Sequence, residues 1–203
     1  TMVIVVIIGI AGLIFYLFGG FDYVNNLLNS YFNPSKINIQ QEAAKFGDFS
    51  KISNDYELTR VVDMFGIKAV IAKHKITNQK IAIVKTGWVF NLSQNDIKSD
   101  NIDQQLEDIA SRFNAIPIKL SNLEVGKKGN LKALGQNIPY VQIKVLTTGT
   151  INRNMEGIIG VAVSPDKKND ILVSVNDPGK YNQNITDKFF KSIKLASSEN
   201  KNQ

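Results

Sequence analysis

Residues 2–18, MVIVVIIGIAGLIFYLF, hold no charge and no strongly polar side chain. A hydrocarbon core about 30 Å thick takes roughly 17–25 helical residues to cross, so this run, completed by Gly19 and Gly20, predicts a transmembrane helix over residues 1–20. The β-branched residues at positions 3–8 do not argue for a strand, because an isolated strand leaves its backbone unsatisfied in lipid. A cleaved signal peptide is the competing expectation; the run lacks a basic segment before it and a small-x-small site after it.

Beyond the glycines the period changes. Across residues 21–33, Phe21, Val24, Leu27, Leu28, Tyr31 and Phe32 recur at spacings of three and four, and Asp22, Asn25, Asn26, Asn29 and Asn33 fall opposite. That is one apolar and one polar helical face, closed by Pro34. Helices that lie among lipid headgroups carry Lys and Arg on the polar side, and this segment has neither. Its stripe therefore has two candidate receivers, the chain's own domain or another subunit. The candidate partner-binding residues are Phe21, Val24, Leu28, Tyr31 and Phe32. Gly9 and Gly12 join them, where low bulk admits a second helix although the spacing is not GxxxG.

Residues 34–56 read as a polar connector with one short helix at 39–46. From residue 57 the period is two. Strands are expected at 57–64, 68–75, 80–85, 116–120, 139–148, 157–164 and 170–176, with Ala69, Ile71 and Lys73 set against Val70, Ala72 and His74. A helix at 101–113 presents Ile102, Leu106, Ile109, Ala110 and Phe113. Another at 184–194 presents Ile185, Phe189, Phe190 and Ile193, and residues 196–203 form a polar tail. Strands grouped by hairpins, with helices between groups, predict an α+β domain over 57–195: an antiparallel sheet with flanking helices.

The formal net charge is +6, almost wholly from lysine. The lysines are scattered or sit in loop doublets rather than interleaving with aromatics, which predicts a solvated surface and no nucleic-acid partner. There is no cysteine, hence no disulfide framework or thiolate chemistry. Residues 21–35 carry one Asp and no Lys or Arg, as a translocated flank does, so the domain is expected outside the cytoplasm.

Candidate chemistry is sparse. His74, the single histidine, lies between two lysines that discourage its protonation and reads as a strand-surface residue. Asp96, Asp100 and Asp103 miss the EF-hand spacing, and helix capping suits Asp100 and Asp103; Asp166, Asn169 and Asp170 suit a hairpin turn. GKKGN at 126–130 lacks the phosphate-loop spacing and reads as a flexible connection. Trp88 reads as core. The expectation is no cofactor, no metal and no catalytic residue, with a carboxylate hydrolase as the least favoured reading.

Two resemblances sharpen this. The closing order of strand, Gly-rich turn, long strand, hairpin and a helix ending FFKSIKL resembles the PsbP-like α/β/α sandwich family over roughly residues 55–195. That implies a binding or assembly module and carries no site residues. The opening IVVIIGI with its amphipathic continuation is similar to type IV pilins and pseudopilins, although Val5 stands where that family has an acidic residue. Together they imply a single-pass protein of a bacterial inner membrane with its globular domain periplasmic or extracellular. Its partners would be membrane lipid and other subunits, or copies of itself in a filament.

Overall fold

The computed structural model of the protein describes residues 36–64, 67–85, 91–111, 118–149 and 153–196. The elements, in chain order, are α1 (Lys36–Ala44), β1 (Gly47–Asp48), β2 (Tyr56–Met64), β3 (Ile67–His74), β4 (Lys80–Lys85), α2 (Gln94–Lys98), α3 (Ile102–Ser111), β5 (Ile118–Ala133), β6 (Gln136–Gly149), β7 (Arg153–Val163), β8 (Asn169–Asn176), α4 (Gln183–Lys191) and β9 (Lys194–Leu195).

Seven strands form one sheet in the order β2-β3-β4-β8-β7-β6-β5, and every neighbouring pair is antiparallel. It is two meanders laid edge to edge: β2–β4 and β5–β8, joined where β4 pairs with β8. Local hairpins can build each meander; the step from β4 to the far edge at β5 is the long crossing, and α2 and α3 lie within it. This is the α+β antiparallel domain that the alternating pattern predicts.

Both faces of the sheet are covered near its middle, which explains the weak alternation of the central strands. In β4, Ile81 and Ile83 face one way and Ala82 and Val84 the other, and all four are buried. Ile81 and Ile83 share a core cluster with Ile185, Phe189 and Phe190 from α4 and with Ile193 just beyond it. Each such large apolar side chain taken from water contributes roughly 1.5–3 kcal/mol. On the opposite face α2 packs against β6 and β7 while α3 packs against β5, with Ile97, Ile102 and Leu106 buried.

The helices begin where their chemistry dictates. Asn182 caps α4 by accepting from the Asn184 amide at 2.9 Å, and Lys188 and Lys191 occupy its last turn, complementing the helix dipole. Ser93 and Asp96 form a reciprocal capping box at the start of α2, a short helix that the sequence pattern does not predict.

A polar cluster fixes α4 to the sheet. The fully buried Gln79 places Nε2 3.0 Å from Ser174 Oγ, 3.0 Å from the Asn182 carbonyl and 2.9 Å from Thr186 Oγ1, while its Oε1 accepts from the Asn182 amide at 2.8 Å. Thr186 in turn donates to Ser174 at 2.7 Å.

Three expectations change. Residues 126–130, read as a flexible connection, belong to the sixteen-residue strand β5. Bulges between Ser121 and Leu123 and between Val125 and Lys128 shift the phase of its apolar positions, so only its start, within the expected 116–120, reads as strand. The turn from β5 to β6 is Leu134-Gly135, both with positive φ (55° and 71°), the primed geometry that matches sheet twist. Residues 36–56, read as a polar connector with one short helix at 39–46, carry that helix as α1 but also β1, and they join the core, with Ala43 and Phe46 buried against Val70. His74 is buried rather than on the surface: its Nδ1 lies 3.0 Å from Thr77 Oγ1, and its ring meets Tyr56 edge-on at 5.1 Å.

No helix among the described residues is long and apolar enough to cross a membrane. The run at residues 2–18 and the two-faced stretch at 21–33 lie outside them, as does Trp88.

Candidate functional site

The residues singled out as partner-binding, Gly9, Gly12, Phe21, Val24, Leu28, Tyr31 and Phe32, all lie outside the described residues, so the structure neither gathers nor separates them. Among the described residues the domain carries an open groove of about 1190 Å³. One wall is the outer edge of β2, from Tyr56 to Arg60; the other is built by α1, the segment 47–54 and β9. Ile39, Phe49, Ile52, Leu58 and Leu195 give it apolar surface.

The far wall depends on chain segments nearly 150 residues apart. β1 pairs antiparallel with β9, Gly47 opposite Leu195 and Asp48 opposite Lys194. The Ala196 amide adds a bond to the Phe46 carbonyl at 2.8 Å. Behind this clasp, Phe46 plugs the space between α1 and the sheet.

β2 is an edge strand, and the bonding pattern of its neighbour reveals which of its backbone groups face the groove. His74 donates its amide to the Gln79 carbonyl at 2.9 Å and accepts from Asn78, so its backbone groups turn away from β2. Alternation along an antiparallel ladder then turns Ala72 and Val70 away as well, and Lys73 and Ile71 toward β2. Opposite them, Glu57 and Arg60 bond inward, while Leu58 and Val61 aim N–H and C=O outward. Among the described residues no hydrogen bond reaches those outward groups of Leu58. A bulge at Thr59 interrupts the register between Leu58 and Arg60, and the Thr59 hydroxyl donates to the Ile71 carbonyl at 3.2 Å.

Charge along the groove is mixed, with Arg60, Lys73 and Lys194 set against Asp48 and Glu57. Lys73 and Glu57 pair at 2.9 Å. Asp48 is held below the usual carboxylate range by the Ser50 hydroxyl and amide, then by Lys51 and Lys194. The Tyr56 hydroxyl donates to the Ile185 carbonyl at 2.7 Å, and burial, followed by Asp55, pushes it above its ordinary value. A carboxylate held ionised and a phenol held neutral supply no acid–base pair poised near neutral pH.

A second polar cluster lies away from the groove. Asp170, the first residue of the strand expected at 170–176 and also read as suiting the turn before it, sits on β8 and is 1% exposed. Among the described residues neither of its carboxylate oxygens has a hydrogen-bond partner, and the Lys85 ammonium stands 3.6 Å off. Burial, against the pull of Lys85, raises Asp170 from 3.8 to about 6. Nearby, Ser164 Oγ lies 2.6 Å from Asp166 Oδ1. Alternation alone could not find Asp170, because a single Asp at the foot of a hairpin is what a turn also uses.

Among the described residues no group of three or more His, Asp or Glu side chains is placed to hold a metal ion. No protein-family model matches the chain, and no characterised protein matches it significantly. Its function is therefore argued from the residues and the geometry.

Proposed function

We propose that this chain is a membrane-anchored, extracytoplasmic structural or accessory subunit of a larger membrane protein assembly, acting through protein–protein contacts. In this reading residues 1–20 form a transmembrane helix, residues 21–33 extend it, and the antiparallel domain stands outside the membrane as a PsbP-like α/β/α sandwich.

The carrying observation is the juxtaposition of a charge-free run at 2–18 with a two-faced stretch at 21–33 that has no basic residue. A stripe of Phe21, Val24, Leu28, Tyr31 and Phe32 held beside a bilayer, without the cations that favour headgroups, is suited to another protein surface. The domain's open groove, apolar in part and lacking a poised acid–base pair, supports the same reading.

The test is the double variant Leu28→Asp, Phe32→Asp, extracted from its native membrane in mild detergent. Release from larger complexes, read as faster migration on a native gel, is expected. Migration identical to that of the unchanged chain overturns the proposal.

A further inference from the structure

We infer that the groove along β2 takes a short extended segment of a partner polypeptide, which adds as a strand to the outer edge of β2. The segment would carry apolar side chains at alternate positions and a carboxylate at the end that meets Lys194. This deepens the accessory-subunit reading and rests on it only for there being a partner.

Three features select that occupant. At about 1190 Å³ the groove exceeds the roughly 300–1,000 Å³ typical of small-molecule sites. Its β2 wall of five residues spans about 16 Å at roughly 3.3 Å per residue, the length of a short strand. The outward N–H and C=O of Leu58 are an unmet donor and acceptor on that wall. A helix, whose backbone groups are satisfied internally, cannot meet them, whereas an extended backbone can. Apolar groups of Ile52, Leu58 and Leu195 then receive every second side chain.

Charge sets the polarity. Lys73 is engaged by Glu57, and Asp48 is engaged by Ser50. Near β9 the Lys194 ammonium, on an exposed residue and also acting on Asp48, favours a carboxylate on the incoming segment. A second copy of the domain is a poorer occupant. The edge lies opposite a wall formed by α1 and residues 47–54, which stands where a second sheet would have to lie.

The test uses the full chain, isotopically labelled, in mild detergent. The probe is the blocked heptapeptide Glu-Val-Thr-Val-Thr-Val-Glu, compared with its Lys-flanked counterpart and with a version N-methylated at alternate amides. The Glu-flanked peptide should bind and slow hydrogen exchange at the Leu58 amide, and the N-methylated one should not. Lys194→Glu should weaken the Glu-flanked peptide by about tenfold and reverse the preference for flanking charge, since a tenfold change is a modest electrostatic effect. Lys194→Gln, a milder change on the same exposed side chain, should weaken it less.

No peptide-dependent protection at Leu58 overturns the inference. So does protection already present without peptide and lost in the Leu28→Asp, Phe32→Asp variant, which would make residues 21–33 of this chain the occupant. A chain that binds the peptide but keeps its native-gel migration in that double variant retains the groove assignment and loses the subunit reading.

Discussion

Gln79 and Asp170 are both polar, both buried beside the sheet, and opposite in their accounts. Every hydrogen-bonding atom of the Gln79 amide has a partner in α4 or β8. Neither oxygen of the Asp170 carboxylate has a hydrogen-bond partner among the described residues, only an ammonium at 3.6 Å. A satisfied buried amide positions: it ties β4, β8 and the start of α4 into one arrangement. A buried carboxylate with a distant counter-ion costs, because desolvation outweighs the attraction. The first cluster specifies the packing of the helix, and the second makes the same core sensitive to protons.

The sharpest way to break the contrast is Gln79→Leu, which strands the Asn182 amide and takes a donor from the Asn182 carbonyl and from the Ser174 and Thr186 hydroxyls, which keep their bond to each other. A loss of about 3 kcal/mol is expected, as stranded buried groups cost roughly 1–3 kcal/mol each and part of that relaxes. Urea unfolding of the full chain in detergent, followed by the near-ultraviolet signal, measures it.

The second prediction concerns pH. The folded-state value for Asp170, about 6, lies above its ordinary 3.8, so between those values the native domain keeps a proton that the unfolded chain releases. Stability rises as pH falls through that window and is lost as pH rises past 6. The contribution is up to about 3 kcal/mol. Asp48, Asp96 and Asp166 are shifted down and act oppositely, but only below about pH 4, near the ordinary carboxylate value. Unfolding curves between pH 4.5 and 7.5 should therefore show a slope in the unchanged chain that Asp170→Asn removes. An equal slope in both would refute the assignment.

The smallest effect sharpens rather than breaks. Asp170→Leu at pH 7 replaces the costly carboxylate with an apolar group of similar size and should stabilise by about 1 kcal/mol, while Lys85, a quarter exposed, reaches solvent. A loss of stability in the same unfolding assay would show that the ion pair contributes more than its burial costs.

The pattern of residues reveals most of the sheet and little of the groove. β2, β3, β4 and β8 are legible because alternating or fully apolar runs end at turn residues such as Asn78 and Lys167, both of which adopt positive φ. β5 is not, because its bulge after Val125 puts two residues opposite one and breaks the period. His74 misleads because flanking lysines suggest a surface, yet the covering Tyr56 ring comes from another strand. The groove is invisible for the same reason: Ile39, Leu58 and Leu195 acquire a common role only after β1 meets β9. No local window contains both halves of that contact.

That clasp has a mechanical consequence. Gly47–Asp48 and Lys194–Leu195 bring the entrance and the exit of the domain to one corner. Tension drawn through Lys36 would be borne first by a two-residue ladder, which can part like a buckle while the seven-stranded sheet stays whole. A tether pulled from that side would loosen the wall facing β2 long before it unravelled the domain.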